Sequence, residues 1–154
     1  MLRIHVLDRE KRKDRWLGKS FWFPLCLNER ILQDMGYRFV FFCETKENVA
    51  DCDVLFVSSR YCSIEKQRNI WGGYESSLRR LLEQIDRNHT IVIWFDMRDS
   101  SGNTQFEVLP YVDLYCKKQL LKVKDLYKRK YYGNRLYTEY YHHEFGIEDE
   151  YAES

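Results

Sequence analysis

The chain has 154 residues, the usual size of one domain, and a 44% hydrophobic and 32% charged composition that excludes intrinsic disorder. Its formal net charge of +1 excludes a general attraction to nucleic acid or to anionic membranes. No run approaches the ~20 apolar residues of a transmembrane helix, and five cysteines without a CxxC spacing indicate reduced thiols. We therefore expect a cytoplasmic protein without a transmembrane segment.

Strands and helices are predicted to alternate along the chain. Five apolar runs predict strands, at residues 2–7, 37–43, 53–58, 90–95 and 112–116. A helix is predicted over residues 24–35, between Pro24 and the stop signal Gly36, and another over residues 75–87. Residues 105–111 predict a third, short helix. The pattern is that of an α/β fold, a Rossmann-like, doubly wound and mainly parallel sheet of about five strands with helices on both faces.

The domain organisation follows from where this pattern ends. Residues 1–132 are expected to form the α/β domain, and residues 133–154 an acidic and aromatic tail without periodicity. We expect the first and fourth strands to be neighbours, so that the loops over residues 8–20 and 96–104 face each other across one crevice. The structural alternative is that both loops are ordinary surface turns.

The loop after the fourth strand contains the strongest candidate site residues. Carboxylates at Asp96 and Asp99 suit general acid–base catalysis, although an Asp at a strand end also caps the following turn. The residues predicted to bind substrate are Arg98, Ser100, Ser101, Gly102 and Thr104 of this loop, with Lys19 from the loop after the first strand.

Several other chemistries are excluded by spacing. Gly18-Lys19-Ser20 resembles the end of a phosphate-binding P-loop. The motif also requires a glycine five residues before Gly18, and that position is occupied by Lys13. No GxGxxG follows the first strand and no GxSxG elbow is present. His142 and His143 are adjacent, so their side chains diverge and make a poor pair of metal ligands. We predict no cofactor and no metal site.

The residues 93–141 resemble glycosyltransferase-like proteins of bacterial surface-polysaccharide gene clusters. The resemblance lies in Asp96 at the strand end, DSSGNTQFEVLPYVD, KKQLL and the later Tyr-Gly-x-Arg-Leu, and DVLFVSSRY fits the same group. It implies the acceptor-side, N-terminal Rossmann-like domain of a GT-B-type enzyme, inactive without a second domain that binds the nucleotide-sugar. Asp96 or Asp99 would then hydrogen-bond or deprotonate an acceptor hydroxyl, which Ser100, Ser101 and Thr104 would position. Arg98 and Lys19 would contact phosphate or an anionic sugar.

Two other functions are consistent with the same residues. The first is a non-enzymatic α/β module that binds a protein or a ligand, and the second is a nucleic-acid-binding domain. Basic segments interleaved with Trp and Tyr support the nucleic-acid reading, but the nearly balanced charge disfavours it. An apolar face left exposed would favour a homo-oligomer.

Overall fold

The computed structural model describes residues 1–9, 21–61, 75–98 and 104–148. Within these residues, five strands form one parallel sheet, and they are β1 (Leu2–Leu7), β2 (Tyr37–Phe42), β3 (Val54–Ser58), β4 (Ile91–Asp96) and β5 (Leu114–Lys117). Every strand starts and ends within two residues of its predicted position. The predicted α/β, doubly wound class with a parallel sheet is therefore confirmed.

The helices predicted over residues 24–35 and 75–87 are shorter in the structure, and one helix near the C-terminal end of the described residues was not predicted. The helices of the described residues are α1 (Phe23–Leu27), α2 (Glu29–Asp34), α3 (Glu75–Gln84) and α4 (Leu136–Phe145). The helix predicted over residues 24–35 is interrupted at Asn28, whose backbone N–H and side-chain amide both donate to the Pro24 carbonyl. This competition from a side-chain amide ends α1 and separates it from α2.

Short 3₁₀ helices occupy several of the connections, including the segment predicted as a third helix. They lie at Glu47–Ala50, Ser59–Tyr61, Phe106–Tyr111, Lys124–Lys128 and Tyr132–Asn134. No helix in the described ranges is long and apolar enough to cross a membrane.

The strand order is β2-β1-β3-β4-β5, so the prediction that the first and fourth strands are neighbours is wrong. β1 pairs with β2 and with β3, and β3 separates β1 from β4. The connection from β2 to β3 crosses β1, because β2 occupies the outer edge of the sheet. This is the flavodoxin-like order, in which the switch point lies between β1 and β3.

The main core lies on one face of the sheet, which we call the packed face. Its strand residues are Leu7, Leu55, Val57, Val92 and Trp94, all fully buried. The apolar stripe of α3 and the 3₁₀ helix Phe106–Tyr111 cover them with Leu78, Leu82, Ile85 and Val108. Each fully buried side chain of this kind stabilises the fold by roughly 1.5–3 kcal/mol.

A helix occupies part of the C-terminal stretch expected to lack periodicity. α4 ends at Gly146, which adopts a left-handed conformation with φ +63° and bonds back to the His142 carbonyl. A glycine suits this cap because it has no Cβ to clash with the backbone. The predicted boundary at residue 132 stays a prediction.

Cys52 should make the stability of the protein fall at alkaline pH. Burial raises the pKa of its thiol from the usual 9.0 to about 11, because the thiolate is poorly solvated in the core. As the pH rises, the thiol of the folded protein therefore keeps its proton to a higher pH than the thiol of the unfolded chain. The protonated thiol stabilises the fold fully below about pH 9, and this stabilisation is lost as the pH rises to about 11.

The measurement is urea unfolding of the wild type and of Cys52→Ala at a series of alkaline pH values. We expect the wild type to lose more stability than the variant over this window, since other titrating groups are common to both. Equal losses in the two proteins would show that Cys52 does not titrate differently on unfolding.

Candidate functional site

Buried polar side chains gather at the carboxyl edge, the edge of the sheet where the parallel strands end. They are Asp8 after β1, Ser58 and Ser59 at the end of β3, Asp96 at the end of β4 and Lys117 at the end of β5. The strand register places Ser58 beside Phe95 and Asp96 beside Lys117. In open α/β sheets, ligands bind outside this edge.

Asp96 is fully buried, and three donors among the described residues bond to its carboxylate. Its Oδ2 accepts from Lys117 Nζ at 3.0 Å and from Tyr115 Oη at 2.5 Å, and its Oδ1 accepts from the backbone N–H of Arg98 at 3.0 Å. The Lys117 side chain is 2% exposed. The two charges are thus paired away from water, where each would be costly alone.

Tyr115 extends this network toward the loop that precedes β5. Its Oη accepts from the backbone N–H of Gln105 at 3.0 Å while donating to Asp96. Burial, and then the neighbouring Asp96 carboxylate, hold the pKa of Tyr115 well above its usual range, so the phenol remains a neutral donor. The side-chain amide of Gln105 is fully buried and has no partner among the described residues.

Asp8 and the two serines have structural partners of their own. Asp8 Oδ2 accepts from the indole Nε1 of Trp22 at 2.6 Å. Ser58 Oγ accepts from the N–H of Arg60 at 3.2 Å, and Ser59 Oγ accepts from the N–H of Met97 at 2.9 Å. The bonds of the two serines hold the turns after β3 and β4 against the carboxyl edge of the sheet.

Cationic side chains follow four adjacent strand ends. Arg9 comes after β1, Arg60 after β3, Arg98 after β4 and Lys118 after β5. Arg9 and Lys118 are exposed, and Arg60 and Arg98 are half-buried. Arg98 Nη1 donates to the Thr104 carbonyl at 3.3 Å, which holds its guanidinium beside the loop.

The structure brings three of the predicted site residues together. Asp96, Arg98 and Thr104 are joined through hydrogen bonds that Arg98 donates, from its backbone N–H to Asp96 and from its guanidinium to the Thr104 carbonyl. The other predicted site residues lie outside the described residues, and they are Lys19, Asp99, Ser100, Ser101 and Gly102. The catalytic role of Asp96 and Asp99 and the substrate-binding role of the others stay predictions.

The sequence reasoning missed Asp8, Tyr115, Lys117, Ser58 at the end of β3 and Ser59 directly after it. A lysine as the last residue of a short, mostly apolar strand is the signal that could have identified Lys117, because a strand end at the carboxyl edge faces the site. Among the described residues, no group of three or more His, Cys, Asp or Glu side chains is arranged to hold a metal ion.

No family model matches this chain, and a search of curated proteins finds no match. Among solved structures, the chain is similar to a response regulator receiver protein from Burkholderia phymatum, with 13% sequence identity and a TM-score of 0.46. The match covers 79% of this chain and 86% of that one. A likeness at this level concerns the fold alone.

These findings correct the glycosyltransferase interpretation of the sequence. No glycosyltransferase family model matches, and the similar solved structure is a receiver protein. The predicted family, the acceptor-side GT-B function and the role in polysaccharide biosynthesis are therefore wrong. The motif resemblance rested on strand-end residues such as Asp96, which the structure explains by their place in the buried hydrogen-bond network.

Proposed function

We propose that this chain is a non-enzymatic α/β binding module that takes an anionic ligand at the carboxyl edge of its sheet. The observation that carries the proposal is the row of cations after four adjacent strands, formed by Arg9, Arg60, Arg98 and Lys118. Guanidinium groups present several donors in a fixed plane and suit phosphate or carboxylate oxygens.

The position of the row at the switch point supports a ligand site. Arg9 and Arg60 follow β1 and β3, the two strands between which the sheet order reverses. In sheets of this order, the crevice for a ligand opens at that point. The buried side chains of Asp8, Ser58 and Ser59 are hydrogen-bonded within the protein, and these bonds hold the strand ends beneath the cations in place.

The contacts of Asp96 favour binding over catalysis. A general base must reach the proton that it removes, and both oxygens of Asp96 already accept hydrogen bonds within the protein. Because the carboxylate is fully buried, it serves to hold Lys117, Tyr115 and the Arg98 turn in place.

The test is a titration with inorganic phosphate and pyrophosphate, followed by amide chemical shifts in NMR spectra. We expect shifts confined to the turns after β1, β3, β4 and β5. Arg60→Ala and Arg98→Ala should each weaken binding about tenfold, since a hydrogen bond to a charged group contributes ~1.5–3 kcal/mol.

Arg38→Ala is the matched control. Arg38 is an exposed arginine near the start of β2, at the opposite edge of the sheet, and its removal should leave the affinity unchanged. Equal losses in all three variants would indicate a general charge effect and would contradict a site at the carboxyl edge, as would shifts spread over the whole surface.

The proposal extends to the cellular location of the protein and to its partners. A cytoplasmic location agrees with free thiols at Cys26, Cys43, Cys52 and Cys116. Self-association has support from exposed apolar side chains on β4, β5 and α4. A nucleic-acid partner is the less favoured proposal, because the chain as a whole is nearly neutral.

A further inference from the structure

The side chains of α4 are distributed in the reverse of the usual order for a surface helix. Tyr137, Tyr140, Tyr141 and Phe145, which we call the aromatic stripe, are all exposed, and Phe145 is 65% exposed. The polar residues Thr138, Glu139 and His142 are half-buried instead. A surface helix normally turns its apolar side toward a core.

The polar side of α4 is held by the turn that precedes it. Thr138 Oγ1 donates to the Tyr132 carbonyl, the His142 ring stacks on the Tyr132 ring at 3.8 Å, and Glu139 pairs with Arg129 at 2.8 Å. These contacts fix which side of the helix faces outward. The aromatic stripe therefore projects from the molecule as a preformed ridge.

The sheet has an apolar surface of matching character on the side opposite the packed face. Alternate residues of β4 and β5 point to this side, and we call the surface formed by Ile91, Ile93, Leu114 and Cys116 the open face. Phe95 points to the same side but packs against the ring of Trp22. Ile91 is 49% and Leu114 56% exposed, whereas the intervening Val92 and Trp94 are fully buried. Parallel sheets are normally covered on both faces.

We propose that the aromatic stripe of α4 docks on the open face of a second copy of this chain, and that the exchange is reciprocal. Among the described residues of each copy, no helix covers the open face, and no apolar surface lies against the aromatic stripe. A symmetric pair satisfies both at once, as isologous dimers do. This inference does not depend on the anionic ligand proposed above.

The charges next to the two surfaces fit the same arrangement. β5 runs directly into residues 118–135, which contain seven Lys or Arg and one Asp, and α4 runs into residues 144–153, which contain five Asp or Glu and no Lys or Arg. With α4 of one copy on the open face of the other, the acidic end of the helix approaches the basic segment of its partner. Opposite charges favour such an encounter.

The size of the combined surface is adequate for a dimer. An aromatic side chain can bury roughly 150–250 Å². The two copies together contribute eight such side chains, four from each α4, and about half of the surface of each is exposed and can be buried in the interface. Together with the strand residues that they cover, they approach the ~1,200 Å² at the lower end of stable interfaces.

The test begins with the mass of the protein in solution, measured by light scattering and sedimentation over a range of concentrations. We expect twice the 18.9 kDa of one chain for the wild type. The helix variant Tyr141→Ser/Phe145→Ser and the face variant Leu114→Glu should each raise the dissociation constant more than ~10-fold. Leu27→Ser, at an exposed leucine of α1 outside both surfaces, is the matched control and should remain dimeric.

Mixing the helix variant with the face variant identifies reciprocal docking. The face variant retains its helix and the helix variant retains its open face, so one of the two contacts is restored and a heterodimer should form. Circular dichroism of each variant checks that its fold is intact, as expected for substitutions at exposed positions.

Alkylation of Cys116, followed by peptide mass spectrometry, supplies a second readout, because this thiol lies on the open face and should react more slowly in the dimer. A monomer with a protected Cys116 would mean that α4 folds back on its own sheet, and a monomer with a reactive Cys116 would leave the surfaces for another protein. Either result overturns the proposal, as does a dimer that both variants leave intact.

Discussion

Replacing Lys117 with methionine is expected to destabilise the protein by about 3–5 kcal/mol, the usual cost of leaving one charge of a buried ion pair without its partner. Lys117 and Asp96 are 2% and 0% exposed, and their 3.0 Å contact lies at the carboxyl ends of β4 and β5. Methionine fills a similar volume, so the loss should come from the charge rather than from a cavity. Urea unfolding gives the free energy directly.

Two controls test whether the loss of stability comes from the burial of this ion pair rather than from the loss of an ion pair in general. Lys128 and Asp125 form a 2.7 Å pair whose side chains are both 81% exposed, and Lys128→Met should cost less than about 1 kcal/mol. The double variant Asp96→Asn/Lys117→Met removes both charges and should recover a large part of the loss. If Lys117→Met costs no more than Lys128→Met, the buried pair does not hold the carboxyl edge together.

The second large effect is expected at Trp94, which is fully buried at the centre of the packed face. Trp94→Ala should cost about 3–5 kcal/mol, because the surrounding side chains cannot close the cavity completely. Trp94→Phe should cost much less, since the indole Nε1 has no partner among the described residues and phenylalanine removes that buried donor.

Trp22→Phe is the informative comparison, because the indole of Trp22 is bonded to a carboxylate. Its Nε1 donates to Asp8 at 2.6 Å, so the same chemical change leaves a buried acceptor without this donor. We expect Trp22→Phe to be more destabilising than Trp94→Phe in thermal and urea unfolding. The reverse order would show that Trp94 Nε1 has a partner in solution, such as an ordered water.

The strands were predictable because each is a short apolar run with a clear end. The hydrophobic spacing of α3 was equally direct, and Leu78, Leu82 and Ile85 do face the core. Strand order was not predictable in the same way, since the pattern within a run does not say which neighbour it pairs with. The flavodoxin-like order became visible only from the pairing of β1 with β3.

The candidate site was predicted in part. Asp96 was identified from its place at the end of an apolar run, and the structure confirms that it lies at the carboxyl edge. Its partners could not be found from spacing, because Tyr115 and Lys117 belong to a different strand and meet it through pairing across the sheet. The helix α4 was missed because an apolar side normally marks the side of a helix that faces a core. In α4 the aromatic side is exposed, and the half-buried side is polar.

β1 lies inside the sheet between β2 and β3, and this position has a consequence for how the chain folds. Both neighbours of β1 come later in the sequence, with Leu2 opposite Tyr37 and Ile4 opposite Val54. The middle of the sheet therefore closes only after long stretches of chain have been brought together, a topology associated with slow folding. During synthesis, β1 can pair with β2 first, but its other side stays unpaired until β3 has emerged, and an unpaired strand edge exposes the chain to aggregation.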